Sequence, residues 1–89
     1  MRMLQEYLDQ RVVVDLSTTF VCLGKLTRFD DNFLELKNAD VHDLRDTDTT
    51  RENYIAESVA TGIKRNRKRV LIRRDQMVAI SLLDDVVDE

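Results

Sequence analysis

The stretch Arg67 to Leu83, RKRVLIRRDQMVAISLL, decides how this chain folds. Two short apolar runs, Val70-Leu71-Ile72 and Met77 to Leu83, flank a polar corner, Arg73-Arg74-Asp75-Gln76. Runs of this length on either side of a charged cluster read as consecutive strands that reverse at the corner. Their sheet partners must come from the other end of the chain.

There, Arg11 to Leu16 is a β-branched run, which predicts a strand with Val12, Val14 and Leu16 on one face and Val13 and Asp15 on the other. Ser17-Thr18-Thr19 makes a polar turn, and Phe20 to Arg28 is a second strand interrupted by Gly24. A glycine inside a strand marks a bend or bulge, which a small sheet needs in order to curl. Phe29-Asp30-Asp31-Asn32 supplies side chains that bond their own backbone in a turn. Phe33 to Val41 then forms a third strand with Glu35 and Lys37 on its wetter face. Three strands joined by tight turns give an antiparallel meander. Ahead of it, Met1 to Leu8 spaces Leu4, Tyr7 and Leu8 for a short amphipathic helix that can lie across the end of the sheet.

Residues 42–66 are a variable insertion in an otherwise regular pattern. Thr49-Thr50-Arg51-Glu52 matches a capping box, Tyr54, Ile55, Ser58 and Val59 have helical spacing, and Gly62 can stop a helix. A helix over Thr50 to Ala60 is expected. The alternative is that part of the insertion prolongs its flanking strands as a long hairpin. The tail, residues 84–89, is acidic.

Eighty-nine residues make one small domain with limited surface to bury, so association with further subunits would stabilise it. The sequence contains no apolar run long enough to span a membrane, and its start lacks the pattern of a secretory signal, so a cytoplasmic location is the expectation. Cys22 is the only cysteine, set between Val21 and Leu23 as a small hydrophobe. His42 reads as a solvated loop residue. One cysteine and one histidine do not make a zinc site, and Gly24 and Gly62 are too far apart to form a phosphate loop. No nucleophile and base are paired, so neither an enzyme, a metal nor a cofactor is expected.

The net charge of −3 disfavours a generic polyanion binder, yet charge is unevenly spread. The middle is acidic, whereas Lys64 to Arg74 holds seven cations and no acid. A phosphate backbone responds to that local field.

A short helix followed by five bent strands is a small open barrel, and the residues resemble the Sm/LSm family, which includes bacterial Hfq. The first family motif resembles Gly24-Lys25-Leu26-Thr27-Arg28-Phe29-Asp30, and the second resembles Ile72-Arg73-Arg74 followed by Met77-Val78-Ala79-Ile80. The resemblance covers nearly all of the chain outside the insertion. It implies a mainly β, five-stranded antiparallel barrel that closes into a homo-oligomeric ring of six or seven copies, strand five of one subunit pairing with strand four of the next. Edge logic points the same way, because Val70 to Ile72 and Val78 to Leu82 would otherwise be exposed apolar edges. A monomer with its helix and insertion covering these edges is the competing reading.

The resemblance also implies binding of single-stranded, often uridine-rich RNA at the two corner turns. By position, Asp30 matches the acid that orders the first corner and Arg73 the family's arginine. The base-stacking position falls on Asn32 and the base-reading asparagine on Leu34, while Arg74 replaces a glycine. The candidate nucleic-acid contacts are therefore Asp30, Asn32, Arg73 and Arg74, an arginine rim suited to phosphates with little sequence specificity. Two alternatives stand beside it: a ring-forming scaffold whose acidic middle segment recruits a protein partner, and a basic run that merely pairs with the acids of the insertion.

Overall fold

The computed structural model describes residues 2–46 and 48–87. Its strands are β1 (Arg11–Leu16), β2 (Phe20–Phe29), β3 (Phe33–Asp43), β4 (Arg67–Arg73) and β5 (Met77–Leu82). A short helix, α1 (Arg2–Gln5), precedes them, and α2 (Arg51–Thr61) lies between β3 and β4. The strands form one antiparallel sheet in the order β4-β3-β2-β1-β5. β4 and β5 are thus joined by a single 3-10 turn, Arg74–Gln76, although they lie at opposite ends of the sheet order. Only a strongly curled sheet brings its two edges that close.

The curl is built into β2 and β3. Their register shifts between Leu23 and Lys25 and again between Leu26 and Arg28. A Cβ on Gly24 would stand 3.1 Å from the Cβ atoms of both Leu36 and Ala39, so β3 approaches here as closely as a glycine allows. Asn38, near the same bend, adopts φ 50°, a left-handed conformation that asparagine tolerates better than most residues.

Period-two alternation puts Val12, Val14, Cys22, Leu26, Leu34, Leu36 and Ile72 on the inner side, where they form one buried cluster. Leu4 of α1 closes it, with Tyr7 and Leu8 packed alongside. The N-terminal helix is shorter than its apolar spacing predicts. After Gln5 the chain turns, and Asp9 N–H and Leu26 N–H bond to Leu26 O and Gln10 O at 2.7 and 3.0 Å, which draws the segment onto β2. Met1, at the start of the expected helix, and Asp88 and Glu89, at the end of the acidic tail, lie outside the described residues.

The outer side has a core of its own. Val13, Val21 and Leu23 point outward and are buried under Tyr54 and Ile55 of α2, together with Leu83. The helix lies one residue later than the capping-box pattern suggests: Thr50, not Thr49, is the N-cap, and its side chain accepts from Asn53 N–H. Gly62 ends the helix at φ 93°, its N–H bonding to Ser58 O. The flanking strands are also longer than predicted, β3 running on to Asp43 and β4 starting at Arg67. His42 is therefore a strand residue stacked on Tyr54, ring centroids 4.0 Å apart, and not a solvated loop residue.

Cys22 packs inside, and burial pushes its thiol up to about 11, so it stays protonated and unreactive at neutral pH. Among the described residues no helix is long and apolar enough to cross a membrane.

Candidate nucleic-acid interface

The β2–β3 turn is shaped by one carboxylate. Asp30 Oδ1 accepts from the backbone N–H of Asn32 at 2.8 Å and of Phe33 at 2.7 Å, and these bonds hold its carboxyl below the usual range. The β4–β5 corner then locks onto this turn. Arg74 N–H donates to Asn32 O at 2.8 Å, the Arg74 guanidinium donates to Asp30 O, and its charged carbon lies 5.9 Å from the Phe29 ring centre. Arg74 is not among the residues with positive φ, so the corner needs no glycine there.

Asp30, Asn32, Arg73 and Arg74 are thus brought together, in different environments. Arg74 is half-buried and tied to the turn, whereas Arg73 is exposed and paired with Asp75 at 2.6 Å. Asn32 is exposed beside them. Leu34 belongs to the inner core, and its neighbours Phe33 and Glu35 face the other way. Phe33 sits opposite Arg73 across β3–β4 and is 38% exposed.

Phe33 forms a wall shared by two surface depressions. One is lined also by Arg28, Asp30, Glu35 and Leu71, the other by Asp31, Asn32, Arg73 and Asp75. Glu35 is buried at the floor of the first. It accepts from Thr27 Oγ1 at 2.7 Å and Arg28 Nε at 3.0 Å, with Arg69 3.6 Å away. The Thr27 bond first, then the two arginines, keep its carboxyl low. The family resemblance gives no role to Phe33 or Glu35, yet the alternation that places Leu34 and Leu36 inside puts both on the opposite face. Chemically, the corners offer an exposed aromatic face, flanking guanidinium groups and carboxylates that accept hydrogen bonds.

The basic run is divided between two environments. Lys64 pairs with Glu57 at 3.7 Å, as a loop-neutralising role requires, but Arg67 to Arg69 lie on β4 and Arg65 donates to Asn38. Among the described residues no three His, Cys, Asp or Glu side chains converge as metal ligands.

The architecture is a bent, open five-stranded barrel with an N-terminal helix and two interlocked corners. By sequence, no protein-family model and no curated protein matches the chain. Among solved structures, it is similar to the Pyrococcus abyssii Sm protein in complex with a uridine heptamer, at 22% identity and TM-score 0.63, over 91% of this chain and 93% of that one. A heptameric archaeal Sm protein matches at 20% identity and TM-score 0.61, over 92% and 97%. The P. aerophilum SmAP1 heptamer matches at 22% and 0.60, over 91% and 88%. The chain has the Sm fold.

Proposed function

We propose that the protein assembles into a ring of identical subunits and binds single-stranded RNA, with low sequence specificity, along a rim formed by the joined corners. The observation that carries the reading is Phe33, an exposed aromatic ring at the seam of two corners with Arg73 opposite it. A base can stack on such a face whatever its identity, while neighbouring arginines meet the backbone. In this reading Arg73 contacts phosphate, Asn32 donates to a base or sugar, and Asp30 and Arg74 hold the corner in shape. The similar structures include one holding a uridine heptamer and two heptamers.

Ring closure is supported by the edges. Among the described residues both β4 and β5 lack a partner on one side, and Leu71 and Val78 on them are 51% and 69% exposed. α2 packs on the outer face of β1 and β2, so it does not cover these residues. Pairing β5 of one subunit with β4 of the next would satisfy both edges at once.

A second reading is a ring-forming adapter whose RNA site has decayed. Its support is the set of carboxylates, Asp30, Asp31, Glu35 and Asp75, interleaved with the arginines of the depressions. Fluorescence anisotropy with an oligouridine at low and physiological salt separates the two. Binding that weakens with salt and with Phe33→Ala is expected for the RNA reading, and no binding at micromolar protein at either salt selects the adapter. Native mass spectrometry reports the ring, and a purely monomeric species would overturn assembly.

A further inference from the structure

The strand register places four cations in a row. Arg11 on β1 faces Lys25 on β2, Lys25 faces Lys37 on β3, and Lys37 faces Arg69 on β4. All four are exposed, and each alternates with an inward residue, Val12, Leu26, Leu36 and Val70, so the row crosses the outer face of the sheet. Strands lie about 4.8 Å apart, which makes the row about 14 Å long.

Like charges directly opposite one another destabilise a sheet. The ends of the row are compensated by the chain itself, Arg11 by Asp84 at 2.9 Å and Arg69 by Glu35 at 3.6 Å. The middle is not: among the described residues, neither Lys25 nor Lys37 has a hydrogen-bond or ion-pair partner. A chain with 17 acids and 14 bases has carboxylates to spare, yet none is placed there.

We propose that Lys25 and Lys37 form a second contact for the phosphodiester backbone of single-stranded RNA, outside the corner site and read by charge alone. The proposal rests on the RNA-binding reading of the corners, because Phe33 lies on the same face of β3 as Lys37, four residues and about 13 Å along the strand. An RNA whose base stacks on Phe33 can lead its backbone over Glu35, already neutralised by Arg28 and Arg69, to the two lysines. The anion then relieves the repulsion between the two middle lysines.

The test compares the full chain with Lys25→Gln/Lys37→Gln and with Phe33→Ala, on oligouridines of about five and about 20 nucleotides. The double variant is expected to bind the short probe like wild type, to lose about tenfold on the long one at low salt, and to lower the slope of log affinity against log salt by at least about 1.4, two phosphates' worth. Lys25→Arg/Lys37→Arg should restore all three. Thermal melting of the free double variant should be no lower than wild type, since repulsion has been removed.

Long-probe affinity and slope unchanged in the double variant overturn the proposal. So does a double variant whose ring dissociates in native mass spectrometry, which would assign the lysines to a contact between copies. Wild type binding only the long probe, insensitive to Phe33→Ala but sensitive to the lysines, would sink the corner reading and leave the lysine row as the backbone contact. Wild type binding neither probe removes both.

Discussion

The two faces of the sheet are stabilised in different ways. On the inner side the strands bury their own side chains against one another, and only Leu4 and its neighbours are borrowed to close the end. On the outer side Val13, Val21 and Leu23 depend on an inserted helix, while the far end of the same face carries Phe33 and the cation row into solvent above the buried Glu35. The inner core defines the barrel, and the outer face divides into a covered apolar patch and an open polar one. The insertion between β3 and β4 is thus half of a core, and not a spare loop.

The sharpest way to break this comparison is to delete Arg45 to Gly62 and bridge the gap with glycine and serine. If α2 were only a recruitment segment, as the adapter reading supposed, the fold would survive its loss. With Val13, Val21 and Leu23 uncovered, we expect loss of soluble folded protein and strong binding of a hydrophobic dye. A soluble deletion variant with wild-type urea midpoint would contradict a two-core description.

Single truncations sharpen the contrast. Leu36→Ala inside the barrel should cost about 2–5 kcal/mol, because the curled sheet cannot collapse onto the void. Ile55→Ala should cost less than Leu36→Ala, since α2 packs from one side and can settle inward; urea melts of both variants give the order. Tyr54→Phe should cost about 1–3 kcal/mol by removing the hydroxyl donor to the buried Asp40 carboxylate. Thr50→Ala should cost about 1 kcal/mol by uncapping α2.

A smaller effect concerns acid. Asp30, Glu35 and Asp43 all have carboxyls held below the usual range, by backbone N–H groups, by Thr27 Oγ1 and by Arg45 respectively. Their folded values lie below unfolded values of about 4. Their contribution to stability is therefore complete above about pH 4 and is lost as pH falls through the folded values. Asp43→Asn should flatten the acid limb of a stability-against-pH curve; an unchanged limb would show that these pairs contribute nothing there.

Much of the fold is readable from residues. The alternation of Val12 and Val14, the glycine bend, the Asp30 turn and the paired runs around Arg73 all have local causes, so each appears in the sequence. The helix was legible for the same reason, from the spacing of Tyr54 and Ile55 and from Gly62, although its cap lies one residue later. What the helix covers was not legible. His42 looked like a loop residue because its stacking partner stands 12 positions away on another element. The candidate corner residues Asp30, Asn32, Arg73 and Arg74 were legible because each lies in or beside a turn. The pleat puts Leu34 inside and Phe33 on the opposite face, across from Arg73, a neighbour 40 positions away that no local pattern shows.

By itself, then, the sequence determined that this is a curled five-stranded sheet with a helix-bearing insertion and a charged corner, because backbone periodicity, turn chemistry and capping act over a few residues. Only the tertiary structure decided which face the insertion covers, how Arg74 fastens one corner to the other, and that Arg11, Lys25, Lys37 and Arg69 stand in line. Those depend on register across four strands that span residues 11 to 69, set by the summed packing of the sheet and encoded in no local pattern.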